Sequence, residues 1–155
     1  MNRSRIPGWL LAGTLAFGLP AAAQAITVSP GMDQASLTAA VADAKAANES
    51  PSSIAQALLD AGISPGNVTQ ALLEAGFGVG EVVFTVIGLT EADATVAVVS
   101  RAAFLSGNPT ATEIIRNAAL EAGADRDDVD RGLALVNLNS VKPAAGAPGG
   151  VASPN

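Results

Sequence analysis

The sequence predicts an all-α protein: a compact array of six or seven short helices, built as a bundle or a short right-handed superhelix. Three observations lead there. A phrase recurs, as Ile54-Ala-Gln-Ala-Leu-Leu-Asp-Ala-Gly62, Val68-Thr-Gln-Ala-Leu-Leu-Glu-Ala-Gly76 and Ile115-Arg-Asn-Ala-Ala-Leu-Glu-Ala-Gly123. Apolar residues along the chain fall at i, i+3, i+4 and i+7, the mark of a helix with one buried face. Stop and start signals punctuate the same units. A single unit is too short to bury its apolar face alone, so the copies must stack on one another.

The elements follow in order. Residues 1–25 read as a signal peptide. Arg3 and Arg5 make a positive start, and Trp9 to Leu19 is an apolar run shorter than the ~20 residues a bilayer span needs. Ala23-Gln24-Ala25 is a small-x-small cleavage site, so the exported chain would begin at Ile26. Residues 26–32 form an extended lead-in with a Pro30-Gly31 turn, and 33–140 the helical repeat domain. Its apolar stripes are Leu37/Ala40/Val41/Ala44, Ile54/Ala57/Leu58/Ala61, Val68/Ala71/Leu72/Ala75 and Val82/Thr85/Val86/Leu89. They continue as Val99/Ala102/Ala103/Ser106, Ile115/Ala118/Ala119/Ala122 and Val129/Gly132/Leu133/Val136, with starts 14 to 17 residues apart. The Gly132 copy is degenerate, as terminal repeats often are. Each helix is expected to run ~10 residues, about 15 Å.

Gly62, Gly76, Gly107 and Gly123 fall one residue past a stripe, where a helix ends in a left-handed residue. Helix starts follow. Ser50-Pro51 and Ser64-Pro65 pair an N-cap with proline at the first helical position. Asn108-Pro109-Thr110 offers two caps, while Thr90-Glu-Ala-Asp93 and Asp125-Arg-Asp-Asp128 resemble capping boxes with Asp in the last place. One stretch is ambiguous. Glu81–Gly88 and Thr95–Val99 are rich in β-branched residues and could pair as a hairpin. The stripe through Val82, Val86 and Leu89 favours helices instead, and these two segments, apolar on most sides, are expected at the centre of the core. Residues 141–155, rich in Pro, Gly and Ala, read as a disordered tail.

Composition narrows the function. There is no His, Cys or Tyr, so the common general base, thiol nucleophile and thiolate metal site are missing. No disulfide can form, and with the alanine-rich leader this points to a bacterial, periplasmic or secreted protein. After residue 25, Lys45, Arg101, Arg116, Arg126, Arg131 and Lys142 stand against all fourteen acidic residues, a net charge of −8. Such a surface repels nucleic acid and anionic membranes, and no later apolar run reaches spanning length.

Candidate sites are few. Asp125, Asp127, Asp128 and Asp130 could hold Ca²⁺, but Val129 takes the fifth place of the loop and no glycine the sixth, so a helix N-terminus is the simpler reading. Gly76–Gly80 lacks the strand a phosphate loop requires and reads as an inter-helix turn. Carboxylates alone could hydrolyse glycosides, but such sites use aromatic platforms. Phe77, Phe84 and Phe104 all sit where a core would use them; Phe77, next to Gly76, is the one expected to be partly exposed and a possible partner anchor. The sequence therefore implies no enzyme, cofactor or metal. It implies an exported module that binds a protein partner in the cell envelope or outside the cell. The alternative is a self-assembling fibre or biofilm-matrix subunit, suggested by the β-prone, low-charge Val82–Leu89. The units are shorter than HEAT-type repeats and lack their motif, so the repeat implies no family.

Overall fold

The structure, a computed structural model, describes residues 31–140, with side chains through 136. The expected leader, most of the lead-in and the tail lie outside the described residues.

Seven α-helices occupy these residues: α1 (Gln34–Ala46), α2 (Pro51–Asp60), α3 (Pro65–Glu74), α4 (Val79–Leu89), α5 (Thr95–Ser106), α6 (Pro109–Glu121) and α7 (Arg126–Ser140). A 3-10 turn (Ala92–Ala94) precedes α5, and no strand occurs among the described residues. The all-α array expected from the repeat is therefore present, and the Glu81–Val99 stretch is helical. Its valines cost little helix propensity beside what their burial contributes: Val82, Val83, Val86, Val98 and Val99 are all completely buried.

Helices two apart in the chain make the main contacts: α1–α3–α5–α7 form one layer and α2–α4–α6 the other. Helices joined directly by a link pack less extensively on one another. The short links hold helix ends together, while alternate helices lie along each other's flanks. Every inner helix is thus covered from more than one side. This explains why Ala55, Val83, Val98 and Ala111 are buried although they lie off the stripes. The stripes themselves form the core, with Leu37, Val41, Ile54, Leu58, Val68, Leu72 and Ile115 at its centre. α4 and α5 lie at the middle of the array, a central position they share with α3.

The turns repeat one hydrogen-bond pattern. After α2, α3 and α6 the glycine stands at φ +80°, +82° and +92° (Gly62, Gly76, Gly123), and the next residue donates back five positions: Ile63 to the Leu58 carbonyl, Phe77 to Leu72, Ala124 to Ala119. This is the Schellman arrangement, with the apolar residue folded over the helix end. α1 ends the same way with Asn48 (φ +63°) in the glycine's place, and Glu49 donates to the Ala44 carbonyl. N-caps are equally local. Asp33 and Ser50 accept from the amides of Ser36 and Ser53, Asn108 from those of Thr110 and Ala111, and Asp125 from that of Asp127. Two expected caps differ. Ser64 precedes α3 without a side-chain cap bond. Thr90 opens no capping box: its hydroxyl donates to the Val86 carbonyl at 2.8 Å and closes α4. A threonine hydroxyl can serve either the helix behind it or the one ahead, and here the carbonyl four residues back takes it.

Candidate functional site

Phe77 follows the left-handed Gly76 at the end of α3. It is half-buried and packed against the core. Lys45 of α1 sits over its ring, 4.6 Å from the centroid. The same ammonium donates to the carbonyls of Ala75 (2.9 Å) and Gly76 (2.7 Å). α3 has no basic residue in its own last turn. Lys45 therefore supplies the positive charge that a helix C-terminus favours, and the phenylalanine ring completes the cation's shell. Phe77 belongs to this α1–α3 junction.

Glu74 reinforces the junction from the other side. One carboxylate oxygen accepts from the Thr38 hydroxyl (2.6 Å), the other from the Gln70 amide (2.6 Å). These donors favour the ionised form and hold Glu74 below the usual glutamate range. Asp33 is lowered likewise, by the backbone amide and then the hydroxyl of Ser36.

The four aspartates at 125–130 are distributed around the start of α7. Asp125 caps the Asp127 amide (2.8 Å), Asp128 accepts from Arg131 (2.7 Å), and Asp130 pairs with Arg116 of α6 (3.3 Å). Asp127 is exposed in the first turn. Among the described residues, no group of three or more acidic side chains is placed to hold a metal ion. What the cluster does in this fold is start α7 and tie it to α6.

Phe84 and Phe104 overturn an expectation. Both were assigned to the core, yet they are 47 % and 62 % exposed. The signal was in the sequence: at about 100° per residue, each lies roughly 150° from the centre of its own apolar stripe. Residue type suggested burial, and periodicity contradicted it.

Each phenylalanine marks an apolar surface on a different layer. Phe104 projects from α5 beside Leu135 of α7, itself 43 % exposed. With Pro65 at the start of α3 and Ala97 on α5 they line an open groove of about 630 Å³, where Asp93 and Arg101 are the charged groups. On the opposite layer, Phe84 of α4 lies beside Ile114 of α6 (45 % exposed) in a shallower hollow of about 470 Å³. Single exposed hydrophobics are ordinary, but paired ones facing a concavity on a small domain are what binding surfaces present. What both can do is accept apolar side chains. Comparison with protein-family models, curated proteins and solved structures finds no match for this chain.

Proposed function

We propose that the protein is an exported helical interaction module, which binds a polypeptide partner in the cell envelope or outside the cell through the groove over α5. The observation that carries this is Phe104: a phenylalanine 62 % exposed, beside Leu135, at the rim of a groove of about 630 Å³. Val98, Val99 and Ala102 fill the core side of α5, and the ring lies away from them. Aromatic residues placed this way become binding anchors when a partner desolvates them. Two-layer helical arrays present such extended surfaces.

The alternative, a fibre-forming subunit, is suggested by the β-prone Val82–Leu89 together with high Ala and Gly content, and the helical state of that stretch weighs against it. Val82–Leu89 lies in α4 with Val82, Val83, Val86 and Ile87 buried, so it offers no free strand edge.

A photoreactive phenylalanine analogue at position 104, expressed in the producing cell, tests the binding role. A discrete adduct is expected, lost when Leu135→Asp is added and absent when the analogue sits at Asp60. No adduct at 104, with a monomer by light scattering, would refute it.

A further inference from the structure

The α2–α4–α6 layer differs from its partner layer in charge. α2 and α4 contain no basic residue, and the one on α6, Arg116, is turned to Asp130 of α7. The other four cations of the described residues, Lys45, Arg101, Arg126 and Arg131, all belong to α1, α5 and α7. Asp60, Glu81, Glu113 and Glu121 are exposed on the cation-poor layer. Within it, Glu81 and Phe84 lie one turn apart on α4, and Ile114, Asn117 and Glu121 follow one ridge of α6. The two ridges flank one hollow, lined by Phe84 and Ile114 with Glu81 and Glu121 beside them. Gly80 lets the helices close up there: a Cβ on it would stand 3.0 Å from the Ile114 side chain.

Extending the binding role proposed above to a second surface, we propose that the α4–α6 face docks a cationic amphipathic segment of a polypeptide. One apolar side chain of that segment would sit between Phe84 and Ile114, with lysine or arginine residues spaced to meet Glu81 and Glu121. Charge complementarity selects this occupant. A neutral apolar segment would leave the carboxylates unmatched, and an acidic one would be repelled at close range, where screening is weakest. A helical partner matches the spacing, because anchors and charges three or four residues apart share one helix face.

The test uses ¹⁵N-labelled protein purified after export and two synthetic helical peptides of about 14 residues, some 20 Å long. One is a Lys/Leu amphipathic sequence, the other its Glu/Leu counterpart. The Lys/Leu peptide should shift amides confined to 80–88 and 113–121, and the Glu/Leu peptide should leave them unmoved. Phe84→Ala should weaken binding about tenfold, as loss of a central aromatic anchor does. Glu81→Gln with Glu121→Gln should weaken it several-fold and flatten its salt dependence. Asp43→Asn, exposed on α1 of the opposite layer, should change nothing. Absence of binding, shifts spread over the whole surface, equal binding of the Glu/Leu peptide, or an unaffected Phe84→Ala would each overturn the proposal. Because the cross-link at position 104 reads the opposite layer, either surface can fail while the other stands.

Discussion

Gly132 decides how closely α7 approaches α5. By repeat position it is a defective copy, a glycine where other units carry a small or apolar side chain. In the fold it is buried, and a Cβ added there would meet Val99 Cγ1 at 2.8 Å, Val99 Cβ at 2.9 Å and the Val96 carbonyl at 3.1 Å. Backbone and a β-branched stem cannot move aside as a flexible chain end can. Gly132→Ala should therefore destabilise the protein by about 1–3 kcal/mol through overpacking. Better helix propensity returns only about 1 kcal/mol. A urea melt monitored at 222 nm checks this; a variant as stable as the parent would show that α7 sits further out. Lys45 is the other residue whose role depends on a distant element. Lys45→Met keeps the stem but removes the ammonium from the end of α3, and should cost about 1 kcal/mol, the scale of a partly exposed charge-assisted bond. The same melt measures it.

Five elements, α1, α2, α3, α5 and α6, end where the backbone turns left-handed. Gly62 and Gly88 make a matched pair, since a Cβ at either meets nothing within 4 Å. They differ in backbone: Gly62 stands at φ +80°, whereas Gly88 lies in the last turn of α4 without a positive φ. Gly62→Ala should destabilise by about 1 kcal/mol and Gly88→Ala should stabilise by about 0.5 kcal/mol. Parallel thermal melts should show melting temperatures moving in opposite directions. At this scale most of the fold was legible in the sequence. Stripe, glycine and cap each report on one helix, and local signals suffice for local structure. Asn48 was missed as a helix end because its left-handed tolerance is weaker than glycine's. The pairing of alternate helices was not legible, because it depends on which flanks meet and no single-helix period encodes that. The exposed phenylalanines were legible and overlooked: their stripes pointed them outward.

The whole molecule is acidic, and two of its carboxylates support the α1 end of the array. Asp33 and Glu74 are held below their ordinary ranges by hydrogen bonds. A carboxyl more acidic folded than unfolded contributes stability that is complete above its unfolded value and lost as pH falls through its folded one. Melting temperature should accordingly fall below about pH 4, where ordinary carboxyls titrate. Glu74→Gln should lower the neutral-pH plateau and make the acid fall shallower; an identical acid limb in both proteins would show that Glu74 adds nothing. Such behaviour presupposes one cooperative unit, since helices of ten to fifteen residues do not persist alone. The most direct test of the two-layer helical array is backbone chemical shifts with amide exchange on the purified protein. The account predicts helical shifts across 79–89 and 95–106, with the slowest exchange in these two central helices. Extended shifts through 81–99, or uniformly fast exchange, would contradict it.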